Sequence, residues 1–253
     1  MLIDRCSKSV SIITPLFNAE LFIANAINSV VKQTFHDWEM IVVDDGSTDG
    51  SVEIVRSFAK KDSRIILLLN NENKGPAFAR NCAIEKAQGK YVAFLDADDQ
   101  WLPQKLQQQI AFMKQSKAVF CFSDYSTISE EGDILKKGND LPKRLNYSKL
   151  LRTNYIGCLT AIYDAEALGK MYMPQIKKRQ DYGLWLSILK KTSYAYCVGD
   201  QPLALYTQRS MSVSSNKIKL LKYNWKLFYE VERLSFLKSC YFLFWNVVIK
   251  VFK

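Results

Sequence analysis

The apolar positions of the first hundred residues follow two alternating rhythms. Residues 10–14, 40–43, 65–69 and 91–95 form short, largely apolar runs rich in Val, Ile and Leu, closed by Pro15, Asp44, Asn70 and Asp96. Runs of this kind predict strands buried on both faces. Between them the period lengthens. Ile23, Ile27, Val30 and Val31 share one face of a helix over 19–34, and a second helix starts near residue 49 under a Ser47 or Thr48 cap. A third covers 76–88 with Gly89 as its C-terminal cap, and Pro103 suits the first turn of a fourth. Strand–helix alternation of this regularity predicts an α/β fold: a Rossmann-like, mostly parallel central sheet with helices on both faces.

Beyond residue 102 the rhythm loosens. Residues 118–122 and 159–163 read as strands and 181–191 as an amphipathic helix, which together predict a mixed-sheet region. Ile218, Leu221, Trp225, Phe228 and Val231 then recur at helical spacing, and 236–252 is dense in large apolar residues. The expected organisation is 1–102, 103–215 and a helical tail over 216–253.

Composition narrows the class. At 253 residues, 48% hydrophobic and 24% charged, the chain suits one large folded domain with an appendage. Six cysteines (6, 82, 121, 158, 197, 240) lie far apart with no CxxC pair, so neither a zinc site nor a disulfide framework is expected. With no signal peptide, a cytoplasmic setting is expected. The single histidine, His36, removes His-rich zinc sites and most Ser-His triads. The net charge of +10 is uneven: residues 217–253 hold eight Lys/Arg against Glu230 and Glu232. A basic tail interleaved with aromatics points to an anionic membrane surface rather than nucleic acid. Its apolar stretch between Lys238 and Lys250 falls short of the roughly 20 residues that span a bilayer. The alternative is a helix packed on the protein or on a second subunit.

The chemistry lies at strand ends. The second strand ends in Asp44-Asp45, the fourth in Asp96, Asp98 and Asp99. Open α/β sheets bind ligands beyond the carboxyl ends of their strands. Clustered carboxylates repel unless a counter-ion joins them, and Mg²⁺ or Mn²⁺ commonly takes one or two carboxylates plus phosphate oxygens. A diphosphate–metal site is therefore expected; the plainer alternative is that Asp44 and Asp96 only cap their turns.

Four ordered segments carry a resemblance: Ser11-Ile12-Ile13-Thr14-Pro15-Leu16-Phe17-Asn18, Val43-Asp44-Asp45-Gly46-Ser47-Thr48-Asp49, Asn73-Lys74-Gly75-Pro76-Ala77-Phe78-Ala79-Arg80-Asn81, and Phe94-Leu95-Asp96-Ala97-Asp98-Asp99. The chain resembles the family 2 glycosyltransferases, which have the GT-A fold. The resemblance implies a nucleotide-binding half over 1–102 and an acceptor half over 103–215. Pro15 and Phe17 would line the base pocket and Asp44 would accept a hydrogen bond from the base. Asp96 and Ala97 would lie by ribose and diphosphate, Asp98 would bind Mn²⁺ or Mg²⁺, and Arg80, with Lys74, would approach phosphate or sugar. An ion pair with one of the aspartates is the plainer role for Arg80.

Arg179-Gln180-Asp181-Tyr182-Gly183-Leu184-Trp185-Leu186 is similar to the family's segment that often reads Glu-Asp before an aromatic and Leu-Trp. It implies that Asp181 is the general base, while Gln180 departs from the pattern. Trp185 either lines the acceptor pocket or packs in the core. Residues 206–214 resemble a loop that closes over the donor, with Arg209 near the diphosphate. The processive-synthase motif Gln-x-x-Arg-Trp is absent. The implied activity is transfer of one sugar, with inversion, from a nucleotide sugar (UDP-linked) to a glycan or polyprenyl-diphosphate-linked acceptor in surface polysaccharide synthesis, at the inner face of the plasma membrane. Two rivals remain: a phosphotransferase phosphorylated on Asp96, and an inactive membrane-associated nucleotide-sugar-binding partner, for which Gln180 is the hint.

Overall fold

The computed structural model describes residues 8–209 and 217–251. Cys6, Ser210–Ser214 of the expected donor-closing loop, and the last residues of the tail, Phe252 and Lys253, lie outside the described residues.

The four runs form β1 (Val10–Leu16), β2 (Trp38–Asp44), β3 (Ile65–Leu69) and β4 (Tyr91–Phe94), all parallel, in the order β3-β2-β1-β4. β1 and β2 are almost wholly buried, as unbroken apolar runs covered on both sides require. The helices between them are α1 (Ile23–Val31), α2 (Ser51–Lys61) and α3 (Pro76–Lys86). α1 is shorter than the 19–34 expected, and Val31 stands partly exposed at its end.

Two expected caps are corrected. α2 is not capped by Ser47 or Thr48. The Asn18 backbone N–H donates to Ser47 Oγ (3.0 Å) and the Thr48 N–H to Asn18 Oδ1 (2.8 Å), so these residues fasten the β1 and β2 ends together. The N-cap of α2 is Gly50, and Asp49 before it accepts from the Ser51 N–H at 3.0 Å. Gly89 is not a helix cap either, since α3 stops at Lys86 with Ala87 as C-cap. Gly89 is small because the chain passes close there: a Cβ would sit 2.5 Å from Ser11 N.

The sheet continues past residue 102. After β5 (Gln100–Trp101) and α4 (Lys105–Ser116) come β6 (Phe120–Ser123), β7 (Tyr125–Ile128), β8 (Ile134–Lys136) and β9 (Arg144–Leu145). Next are α5 (Tyr147–Arg152), β10 (Ile162–Asp164), α6 (Ala165–Leu168), α7 (Gln180–Leu189), β11 (Ala195–Val198) and β12 (Ala204–Thr207). The strand expected over 159–163 begins as a 3₁₀ turn at Cys158–Thr160 and becomes a strand only at Ile162. The large sheet reads β3-β2-β1-β4-β10-β6-β11-β9, with β10 antiparallel to both neighbours. β5, β12, β7 and β8 form a second, mixed sheet. This is the α/β architecture the resemblance implies, with one sheet spanning both halves.

The tail forms α8 (Lys217–Lys226), a π-helical turn (Leu227–Val231) and α9 (Phe236–Val251). One side of it is built into the domain. Leu227 and Phe228 are fully buried, and the Phe228 ring meets Tyr182 of α7 edge-on at 6.0 Å. Asn246 Nδ2 donates to the Leu151 carbonyl of α5 (3.0 Å). The buried Glu232 accepts from Lys190 Nζ (2.7 Å) and from the Tyr147 hydroxyl. Leu237, Tyr241, Phe244 and Val247 recur along the opposite face of α9 and stand exposed.

Candidate active site

β1 lies between β2 and β4, so the ends of all three open on one cleft. Their register sets Leu16 opposite Asp44, with the Asp45 N–H bonded to the Leu16 carbonyl at 2.8 Å. Just beyond, Phe17 is half exposed, an open aromatic face beside a buried carboxylate. Asp44 accepts from the N–H groups of Gly46 (3.2 Å) and Ser47 (3.1 Å). It therefore caps its own turn; two or so acceptor positions on a carboxylate remain after such bonds. Asp45 is occupied by architecture, accepting from Asn70 Nδ2 (3.0 Å) and from the N–H groups of Lys74 (3.1 Å) and Gly75 (2.7 Å). That clasp holds the loop before α3, and Pro76 starts the helix at a position where its missing N–H costs nothing.

α3 carries Arg80 beneath the β4 end. Arg80 Nη2 meets Asp96 Oδ1 at 2.5 Å, so the ion-pair role is real. Burial works against the Arg80 charge, but Asp96, Cys158 and Asp181 around it more than offset this and raise its pKa. Ala97 is buried, leaving Asp96 and Asp98 as the polar members of the turn. Asp98 is approached only loosely, by Arg209 Nη1 at 3.5 Å, and that guanidinium lies 4.9 Å over the Phe22 ring. Burial, and then Asp96, push the Asp98 pKa up against Arg209. Asp99 is turned away from the cleft and accepts from the Thr207 N–H of β12 at 3.0 Å. Burial drives its pKa well up, with Asp98 and Asp96 adding to the rise.

Asp181 sits in the first turn of α7, across the cleft. Burial raises its pKa; the Tyr182 N–H, Arg179 and Arg80 pull it back, and Asp96 adds to the rise. Asp181 and Asp96 thus lie within one electrostatic neighbourhood despite a separation of 85 positions in the chain. Asn154 Nδ2 stands 3.5 Å from Asp181 Oδ2. Gln180 does not reach into the cleft: its Nε2 donates to the Lys177 carbonyl (2.9 Å) and braces the preceding loop, so the missing Glu leaves no gap among the cleft residues. Trp185 is core and not pocket wall, fully buried against Phe94 (5.3 Å) and Phe120 (5.6 Å). Lys74 is tied to Glu72 at 3.1 Å and half exposed.

Three neighbours of Asp181 escaped the sequence reading: Arg179, Asn154 and Cys158. Arg179 stood inside the quoted segment without a role, while nothing in the sequence marks the other two. A groove of about 780 Å³ elsewhere, between the β7–β8 hairpin and Leu205, holds none of the cleft residues. Its one acid at the β6–β7 junction, Asp124, is taken up by Asn139 and the Tyr125 N–H.

Among the described residues no three His, Cys, Asp or Glu side chains gather as a metal cage. The donor set still fits a hard cation bound jointly with phosphate. Among the described residues, Asp98 is a partly buried carboxylate with one weak cationic partner, whereas Asp96 is already paired.

Comparison with known proteins shows the family. The family model "Glycosyl transferase family 2" matches residues 11–171, which includes all four strand-end segments. A putative teichuronic acid biosynthesis glycosyltransferase of Bacillus subtilis is 45% identical over 230 residues, 91% of each chain. An Escherichia coli UDP-Glc:α-D-GlcNAc-diphosphoundecaprenol β-1,3-glucosyltransferase is 41% identical over 216 residues, 85% of this chain and 83% of the relative. Among solved structures, Staphylococcus aureus TarS 1–349 in complex with UDP-GlcNAc superposes with a TM-score of 0.73 at 22% identity, over 93% of this chain and 70% of that one. The chain spans 38% of a longer TarS structure. A Pyrobaculum calidifontis mannosyltransferase in complex with GDP-Man and Mn²⁺ superposes with a TM-score of 0.62 at 20% identity, over 89% of this chain and 64% of that one. The family match sets the phosphotransferase alternative aside. The strand-end acids, the fold that brings them together and the match across both halves make this chain a member of glycosyl transferase family 2.

Proposed function

We propose that the chain transfers a single sugar, with inversion, from a UDP-sugar to a saccharide carried on a polyprenyl diphosphate, at the cytoplasmic face of the membrane during surface polysaccharide synthesis. The observation that carries this reading is the joining of Asp181 to the Arg80–Asp96 pair across the cleft, which sets a base opposite a diphosphate site. Phe17 and Pro15 pack against the uracil and Asp44 accepts its imide N–H. Asp96 and Ala97 adjoin ribose and diphosphate. Asp98 would hold Mn²⁺ or Mg²⁺ with help from the diphosphate oxygens, and the cation would supply Lewis-acid stabilisation of the leaving group.

Asp181 accepts the proton of the acceptor hydroxyl as that oxygen attacks the anomeric carbon. The bond from that carbon to the diphosphate oxygen breaks with its electron pair going to UDP. Arg80 and Arg209 lie where that negative charge develops. Backside attack inverts the anomeric centre. The exposed face of α9, with Leu237, Tyr241 and Phe244 beside Lys238, rests on anionic lipid and brings the cleft to a membrane-held acceptor.

Calorimetry of UDP binding tests the donor half. The wild type binds UDP at least tenfold more tightly with Mn²⁺ than without it, and Asp98→Ala removes that difference. A metal effect that survives in Asp98→Ala overturns the assignment.

A further inference from the structure

The geometry points to Arg179 as the residue that grips the diphosphate of the acceptor, an inference that rests on the acceptor class just proposed. Arg179 immediately precedes α7 with φ +71°, a left-handed backbone that a non-glycine residue holds only under constraint from its surroundings. Its Nε and Nη2 are buried and meet no hydrogen-bond acceptor. Unsatisfied donors on a buried cation are costly and uncommon in folded proteins. These two nitrogens share one edge of the guanidinium, and their parallel N–H bonds are spaced for two oxygens of a phosphate. A strained backbone presenting a full, unused anion fork two residues before the base is the arrangement expected of a substrate contact.

The surroundings of Arg179 say which anion. Arg80 stands on the Asp96 side of the base, bound to that carboxylate. Arg179 acts on Asp181 and on Tyr182, whose hydroxyl donates to the Leu150 carbonyl of α5 (2.7 Å) and whose ring packs on Phe228 of the tail. The segment that carries Arg179 thus adjoins α5 and the tail, whereas Arg80 is held at the β4 turn by Asp96. Lys178 beside it lies 5.7 Å from the Tyr223 ring of α8, and Lys177 is exposed. One cation serves each side of Asp181: Arg80 the leaving diphosphate, Arg179 the diphosphate that links the acceptor sugar to lipid.

The test compares wild type, Arg179→Gln and Arg179→Lys on two synthetic acceptors, one saccharide linked through diphosphate to a short alkyl chain and the same saccharide as a plain alkyl glycoside. Arg179→Gln is expected to raise KM for the diphosphate acceptor at least tenfold. KM for the UDP-sugar and for the alkyl glycoside stays put, while kcat shifts by the same factor on both acceptors because Arg179 also favours the ionised Asp181. Thermal stability is unchanged or higher because the orphaned donors are gone. Arg179→Lys, which keeps the charge and loses the fork, falls between. An equal rise in KM on both acceptors, a raised UDP-sugar KM with the acceptor KM unmoved, or no change in KM at all overturns the assignment. A wild type that gains nothing from the diphosphate overturns the acceptor reading and this inference with it. A wild type that demands the diphosphate beside an Arg179→Gln that still uses it normally overturns Arg179 alone.

Discussion

At Asp181 two influences oppose each other: burial disfavours the carboxylate, and the Tyr182 N–H, Arg179 and Arg80 favour it, with burial prevailing. A base works only when ionised, so activity falls as pH drops through this raised pKa, and the acid limb lies above the ordinary aspartate value of 3.8. Asp181→Asn is expected to lower kcat by about 10²–10⁴-fold and to abolish that limb, with UDP affinity intact. A profile unchanged in the variant contradicts the role. Arg80 and Asp98 separate differently. Arg80→Met strands Asp96 in a largely buried pair and lowers thermal stability as well as UDP affinity, whereas Asp98→Ala lowers affinity alone. The acids were legible in the sequence because each closes an apolar run or opens a helix, and local pattern reports such positions. Arg179 was not, since its meaning lies in what its guanidinium fails to touch, a property of distant chain segments.

Secondary-structure elements were legible where periodicity is long, as in β1 to β4, and less so at ends decided by contacts. Gly89 shows why: glycine after a helix suggests a cap, but here Gly89 N donates to Ser11 Oγ (2.8 Å), which donates in turn to the buried Glu39 (2.5 Å). Gly89→Ala should cost about 1–3 kcal/mol by overpacking against β1, read as a lowered urea midpoint at constant slope. Lys105 makes a second case. A lysine in the first turn of α4 reads as solvent-facing, yet it is fully buried, 2.7 Å from Gln109 Oε1 and 4.2 Å over the Trp101 ring. Burial lowers its pKa to about 7. Between that pH and the unfolded value of 10.5 the unfolded chain binds the extra proton, so this residue makes stability rise with pH across the window. Lys105→Met is therefore expected to change thermal stability relative to wild type most favourably at or below pH 7, with the advantage shrinking towards pH 9. A pH-independent difference would show that the amine is not desolvated.

At the scale of the molecule, the sequence offered two fates for the tail, lipid contact or packing, and the structure packs one face on the domain and leaves the other exposed. Phe228, Glu232 and Asn246 lock the inner face to α5 and α7, while Leu237, Tyr241 and Phe244 remain outside. Hydrophobic spacing alone could not divide these roles, because both faces are apolar. Deleting 217–253 would expose the buried bed of Phe228 and damage the fold. Leu237→Glu with Phe244→Glu touches only the outer face. That double variant is expected to pellet far less with phosphatidylglycerol vesicles while keeping its melting temperature and its activity on a soluble acceptor; unchanged pelleting contradicts the lipid role. The cleft itself depends on one sheet crossing both halves, which sets the β4 turn against the first turn of α7; the proposed mechanism takes its direction of attack from that arrangement. The anomeric configuration of the product tests that arrangement most directly. With an α-linked UDP-sugar donor, proton NMR of the isolated product is predicted to show a β linkage, and an α linkage would contradict a displacement in which Asp181 activates the acceptor opposite the departing diphosphate.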